Sequence, residues 1–141
     1  MYIKQLSVFL ENKAGTLAEV TTLLADHGID LKSLSIAETS DFGILRLIVD
    51  DTDKAQKVLN EANYICKITQ AIGIIIEDKP GTTAAVLRIL ADAGINVEYA
   101  YAFISHDTDK AYLICKVGDN EEATQILTNA GVKLACKADI F

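Results

Sequence analysis

The sequence predicts an α+β protein made of two copies of one βαββαβ unit. Three observations carry that expectation: the chain repeats itself, its apolar residues switch between strand and helix periods in the same order in both halves, and glycines punctuate both halves at matching places. Glu11-Asn12-Lys13-Ala14-Gly15-Thr16 returns 66 residues later, from position 11 to 77, as Glu77-Asp78-Lys79-Pro80-Gly81-Thr82. Leu24-Ala25-Asp26-His27-Gly28-Ile29-Asp30 matches Leu90-Ala91-Asp92-Ala93-Gly94-Ile95-Asn96 at the same shift. Ala55, Val58, Leu59 and Ala62 match Ala123, Ile126, Leu127 and Ala130 at a shift of 68, from 55 to 123. Two residues therefore enter between, around His106 to Asp109, where a hairpin loop tolerates extra length.

Each half reads the same way along its length. Tyr2 to Leu10 and Ala71 to Glu77 are β-rich apolar runs, each ended by a polar Lys-x-Gly turn. Val20, Leu23, Leu24 and His27, matched by Val86, Ile89, Leu90 and Ala93, fall at i, i+3, i+4 and i+7 and mark an amphipathic helix, which Gly28 or Gly94 ends. Val97, Tyr99, Tyr101 and Phe103 alternate with Glu98, Ala100, Ala102 and Ile104, the period of a strand. Ile44 to Val49 and Tyr112 to Val117 continue as strands after a hairpin. The Ala55 and Ala123 stripes give a second helix, and Tyr64 to Thr69 and Val132 to Lys137 a last strand. Asp50-Asp51-Thr52-Asp53 and Asp119-Asn120-Glu121-Glu122 precede these second helices, where an N-cap and negative charge are stabilising.

Split β-α-β units of this kind build an antiparallel sheet with two helices on one face, the ferredoxin-like arrangement. The expected domains are residues 1–70 and 71–141. Only Gln70 separates the last strand of one half from the first of the next, so the expectation is two antiparallel sheets side by side, edge to edge as one eight-stranded sheet with the helices on one face.

Composition bounds the function. With 141 residues, 50% hydrophobic and 23% charged, the chain is an ordered globular protein without length for a large catalytic scaffold. Its net charge of −7 opposes phosphate neutralisation, so no nucleic-acid partner is expected, and no apolar run approaches a membrane-spanning helix. Met1-Tyr2-Ile3-Lys4-Gln5 lacks the basic and apolar regions of an export signal, which gives a cytoplasmic expectation. Cys66, Cys115 and Cys136 cannot all pair and have no C-x-x-C spacing, so buried thiols are expected, with no metal site and no cofactor. His27 reads as a packing or helix-end residue, and His106 beside Asp107 and Asp109 as a solvated turn. The Tyr99/Tyr101/Phe103 stripe reads as sheet-face packing. Neither histidine is placed near the other, and no nucleophile meets a base, so no enzyme and no catalytic residue are expected.

The βαββαβ order, with [N/D]-K-x-G-T after the first strand and G-I-[D/N] after the first helix, resembles the ACT domain family over nearly the whole chain. Asp78-Lys79-Pro80-Gly81 is similar to the family's D-x-P-G signature and Gly94-Ile95-Asn96-Val97 to its G-I-N-[I/V] element. The first copy departs from the signature, with Ala14 for the proline and Asn12 for the acidic residue. The resemblance implies a regulatory module that senses a small molecule, most often an amino acid, at interfaces between paired domains. Carried over by position, the ligand-binding residues are Asn12, Ala14, Gly15, Thr16, Leu17 and Asp30 in the first copy. In the second they are Asp78, Pro80, Gly81, Thr82, Thr83 and Asn96.

Elementary chemistry agrees with that assignment. A glycine entering a helix admits close backbone approach, and the free N–H groups of the first turn favour a carboxylate. Loop carbonyls, Asp30 or Asn96 would accept from an ammonium group. The expected partners are an amino acid, a regulated enzyme and further copies of the chain as a homo-oligomer. The alternative is a constitutive protein-interaction module or regulatory subunit that senses nothing.

Overall fold

A computed structural model describes residues 2–106 and 109–141 of the chain. Lys4–Thr69 forms one compact unit, and Gln70–Phe141, with the few residues before Lys4, forms the other. The first unit carries β1 (Ile3–Glu11), α1 (Thr16–Asp26), β2 (Leu31–Glu38), β3 (Phe42–Val49), α2 (Thr52–Glu61) and the opening residues of β4 (Ile65–Glu77). The second continues with the rest of β4, then α3 (Thr82–Asp92), β5 (Val97–Ile104), β6 (Lys110–Val117), α4 (Asn120–Asn129), β7 (Lys133–Ala135) and α5 (Lys137–Ile140). The βαββαβ order expected of each half is present.

In the first unit, β3 pairs antiparallel with both β1 and β2. Val8 stands opposite Leu45 and Leu6 opposite Leu47, so strand alternation gathers Leu6, Val8, Leu10, Leu45, Leu47 and Val49 on one face. Helical spacing brings Val20 and Leu24 of α1 and Ala55, Val58 and Leu59 of α2 down onto that face. The second unit repeats the device with β6 between β4 and β5. Ile72, Ile74 and Ile76 face Cys115, Leu113 and Ala111, and Val86, Leu90, Ala123 and Leu127 cover them. Full burial contributes about 1.5–3 kcal/mol for each large aliphatic side chain, so these two clusters hold the units together.

Helix ends follow from single residues. Gly28 and Gly94 lie at φ 70 and 75°, and each α1-type helix closes with the paired bonds of a left-handed C-terminal cap: Gly28 N–H to Ala25 O with Ile29 N–H to Leu24 O, and Gly94 N–H to Ala91 O with Ile95 N–H to Leu90 O. α2 ends on Asn63 at φ 67° where α4 ends on Gly131, since asparagine tolerates the same conformation. As expected, Asp51 and Asp119 cap their helices, accepting from the Lys54 and Glu122 amides at 3.0 Å each.

Several expectations are corrected. Among the described residues there are seven strands and not eight, because Tyr64 to Thr69 and Ala71 to Glu77 run on as one 13-residue strand, β4; Gln70 is no turn former and nothing breaks the extended backbone. The last strand is only Lys133–Ala135. Asp139 accepts from the Cys136 amide at 2.7 Å and starts the short helix α5 instead, and the Tyr112 hydroxyl donates to the Asp139 carbonyl at 2.5 Å. His27 lies off the buried stripe: it is exposed, with Nδ1 2.9 Å from the Leu23 carbonyl. Of the three thiols only Cys115 is buried, and burial pushes its pKa to about 11. Phe103 packs on Tyr112 across β5 and β6 with ring centroids 5.3 Å apart, which fits the sheet-face reading of that stripe. His106 is exposed; Asp107, its expected neighbour in the turn, lies outside the described residues.

Candidate functional site

The two loops picked out by the sequence have the same conformation. Gly15 sits at φ 90, ψ −17° and Gly81 at φ 92, ψ −15°, the left-handed region, and each stands at the N-cap of its helix without a capping side chain. A Cβ built on either glycine meets nothing within 4 Å, so the loops need glycine for its φ and not for space. Lys13 N–H donates to Glu11 O at 3.0 Å as Lys79 N–H does to Glu77 O, and the Thr16 and Thr82 hydroxyls donate to the Lys13 and Lys79 carbonyls at 3.1 and 3.0 Å. Asn12 N–H donates to Asp41 O at 2.8 Å and Asp78 N–H to Asp109 O at 2.7 Å, which ties each loop to the neighbouring hairpin. Ala14 in place of Pro80 therefore leaves the backbone unchanged. The Asn12 side chain adds a bond to the Thr39 carbonyl at 2.9 Å.

Each loop presents donors to solvent. Among the described residues, no group accepts from the amides of Leu17 and Ala18 or of Thr83 and Ala84, the open first turns of α1 and α3. Summed with the helix dipole, such amides attract a carboxylate or another small anion. Ala14, Gly15, Pro80, Gly81 and Thr83 are exposed, and Thr16 and Thr82 half-buried.

Asp30 and Asn96 are not brought to these loops within a unit. Each follows the far end of an 11-residue helix, about 16 Å of helical rise from its glycine. Around Asp30, the Asp50 carboxylate accepts from the Asp30 amide at 2.9 Å, Lys32 pairs with the Asp30 carboxylate at 3.3 Å, and Lys54 Nζ donates to the His27 carbonyl at 2.7 Å. Asn96 instead lines an open cleft of about 460 Å³ with Gly94, Ile95, Glu98, Gly118, Asp119 and Glu122.

Two further clefts flank the glycine loops at equivalent places of the repeat. The one of about 310 Å³ in the first unit includes Phe9, Thr16, Glu19, Phe42 and Tyr64. Its counterpart of about 420 Å³ in the second unit includes Ile75, Thr82, Ala85, Val86 and Val132. Phe9 and Phe42 stack at 5.0 Å, and the Tyr64 hydroxyl donates to Glu19 Oε1 at 2.5 Å; partial burial, then that bond and the charge of Glu19, push Tyr64 to a pKa of about 12. Sequence reasoning passed over Glu19 and Tyr64. Their signal lay in the repeat, where Ala85 and Val132 replace them at otherwise matched positions.

Among the described residues no cluster of three or more His, Cys, Asp or Glu side chains is arranged to hold a metal ion, and no helix is long and apolar enough to cross a membrane.

Comparison with known proteins bears on the fold and the family. Residues 1–140 match the model of a family described as the ACT domain pair. The structure is similar to that of protein BT0572 from Bacteroides thetaiotaomicron, with a TM-score of 0.92 and 41% sequence identity over 99% of this chain and 96% of that one. The regulatory subunit of aspartate kinase from Thermus thermophilus, in its ligand-free form, shares the fold at a TM-score of 0.66 and 18% identity, covering 90% of this chain and 91% of that one. The corresponding subunit from Thermus flavus has a TM-score of 0.65 and 16% identity over 93% and 94% of the two chains. No curated protein matches the chain significantly.

Proposed function

The chain belongs to the ACT domain pair family, and from that premise we propose that it is a regulatory protein that senses an α-amino acid and carries no catalysis of its own. The observation that carries this reading is the doubled loop: two left-handed glycines, Gly15 and Gly81, each leaving the first-turn amides of a helix open to a carboxylate. Asn12, Ala14, Thr16 and Leu17 shape one such loop and Asp78, Pro80, Thr82 and Thr83 the other. Asp30 and Asn96 carry the acceptors an ammonium group requires. They lie at the far ends of the helices, so a second copy of the chain would bring them to the loops, in keeping with a homo-oligomer. The ACT fold in a regulatory subunit of aspartate kinase supports a regulatory role, exerted here on a separate enzyme.

A thermal-shift screen against the twenty amino acids tests the reading. A ligand at 100 times its dissociation constant adds about 2.7 kcal/mol, and for a chain of this size each kcal/mol raises Tm by roughly 2–8 °C. One amino acid is expected to raise Tm by several degrees, and a flat response to all twenty at millimolar concentration contradicts the proposal. The second reading, a docking module that senses nothing, draws on the exposed apolar side chains Phe9, Phe42 and Ile65, the last 75% exposed. It would be favoured by that flat response.

A further inference from the structure

The two clefts beside the glycine loops occupy the same place of the repeat and are built from opposite chemistry. Position for position, Phe9, Glu19, Phe42, Tyr64 and Ile65 of the first become Ile75, Ala85, Lys110, Val132 and Lys133 of the second. In the first cleft the Tyr64 hydroxyl donates to Glu19 Oε1 at 2.5 Å, so two lining side chains tie α1 to the segment after α2. Ala85 and Val132 cannot form that bond, and the second cleft is the larger, about 420 Å³ against about 310 Å³.

The walls of the second cleft are aliphatic at Ile75, Ala85, Val86 and Val132. Its remaining polar side chains are engaged or cationic. The Thr82 hydroxyl donates to the Glu77 and Lys79 carbonyls at 2.6 and 3.0 Å, and Lys79 holds the Glu77 carboxylate at 2.5 Å. Strand register sets Lys133 opposite Ile75 and Lys110 opposite Glu77, so two lysines flank the end of β4 where the first unit has Ile65 and Phe42. An apolar group loses nothing by entering between such walls, whereas a polar one sheds water without a partner there, and the lysines favour a carboxylate beside it. We infer that the second cleft takes an aliphatic side chain and a carboxylate together, those of a branched-chain α-amino acid such as leucine, and that the bond from Tyr64 to Glu19, with the charge of Glu19, closes the equivalent cleft of the first unit to the same ligand. The inference rests on the amino-acid reading above and names the class of side chain that the site selects.

Methyl spectra of the full chain, ¹³C-labelled at isoleucine, leucine and valine methyls and titrated with unlabelled leucine or with asparagine, its polar isostere, test it. Leucine is expected to shift Ile75, Val86 and Val132 and to leave Leu10 and Ile65 of the first cleft unmoved. Its half-saturating concentration should lie at least about tenfold below that of asparagine, whose amide would be buried against aliphatic walls. Ala85→Glu, which puts the first unit's carboxylate at an exposed position of α3, should raise the half-saturating leucine concentration at least about tenfold, and Ala85→Ser should raise it less. Lys133→Met should weaken leucine binding more than Lys133→Arg. Dispersed spectra verify that the variants fold. Equal affinity for leucine and asparagine, or equal shifts in both clefts, overturns the inference. Should another amino acid bind while Ile75 and Val132 stay unmoved, the inference fails and the sensing reading stands. Should sodium isovalerate, a branched aliphatic carboxylate without an amino group, move those methyls while no amino acid binds, the sensing reading fails and with it the assignment of the cleft to an amino acid.

Discussion

At the start of α1 and α3 the two units agree to within 2° in their glycine torsions and share the same turn bonds, whereas at the far ends of the same helices one unit is closed by paired lysines and carboxylates and the other is acidic and open. The contrast separates two ways in which a repeat is kept. Backbone shape at the loops depends on a single left-handed glycine and on bonds between neighbours, so it survives the exchange of Pro80 for Ala14 and of Asp78 for Asn12. Charge at the helix ends depends on long side chains arriving from elsewhere in the chain, and the exchanges of Lys32 for Glu98 and Lys54 for Glu122 remove both lysines from the second end. The departures from the family signature in the first loop are therefore not where the two units differ in chemistry.

The largest effects should be common to both units. Leu24→Ala and Leu90→Ala remove side chains no more than 1% exposed, and each should cost about 2–5 kcal/mol in denaturant unfolding. Similar costs would support equivalent cores, and a cost under 1 kcal/mol for one of them would break the equivalence. Gly15→Val and Gly81→Val come next. A branched residue forced to φ near 90° loses about 1–2 kcal/mol through its backbone, with no clash to add since the surroundings are open. Equal losses confirm one loop conformation, and loss of folding in either variant would contradict the open surroundings. Asp51→Ala and Asp119→Ala should each cost about 0.5–2 kcal/mol by leaving a helix uncapped.

The smallest effect separates the units. Tyr64 is raised from the ordinary 10.0 to about 12 in the folded chain, so its bond to Glu19 contributes fully below pH 10 and is lost as pH rises through 12. Val132 stands at that place in the second unit and has nothing to titrate. Stability followed between pH 9 and 12 should fall for the native chain more than for Tyr64→Phe, and equal slopes would show that the bond contributes nothing.

Much of the fold was legible because it is local. Val20 with Leu24 and Val86 with Leu90 declare buried helical stripes, Gly28 and Gly94 declare helix ends, and Asp51 and Asp119 declare caps, each from residues within a few positions. The continuity of β4 was not, since a polar Gln70 between two apolar runs looks like a break, although it lacks turn chemistry. The helix α5 was also hidden, because the Tyr112 hydroxyl that reaches the Asp139 carbonyl lies 27 residues away in sequence. The candidate loops were legible as motifs. Their separation from Asp30 and Asn96 was not, because a motif match names residues by position without showing that a whole helix stands between them. The Lys54 contact on His27 spans 27 residues and the Tyr64 bond to Glu19 spans 45, and no periodicity encodes either.

The central claim, that an amino acid's carboxylate is held on the open first turn behind a left-handed glycine, is tested most directly by calorimetric titration. The native chain and Gly81→Val are titrated side by side with the amino acid that gives the largest thermal stabilisation. The account predicts saturable heat in the native chain and a dissociation constant raised at least about tenfold in a variant that still folds. The same affinity in both would contradict it.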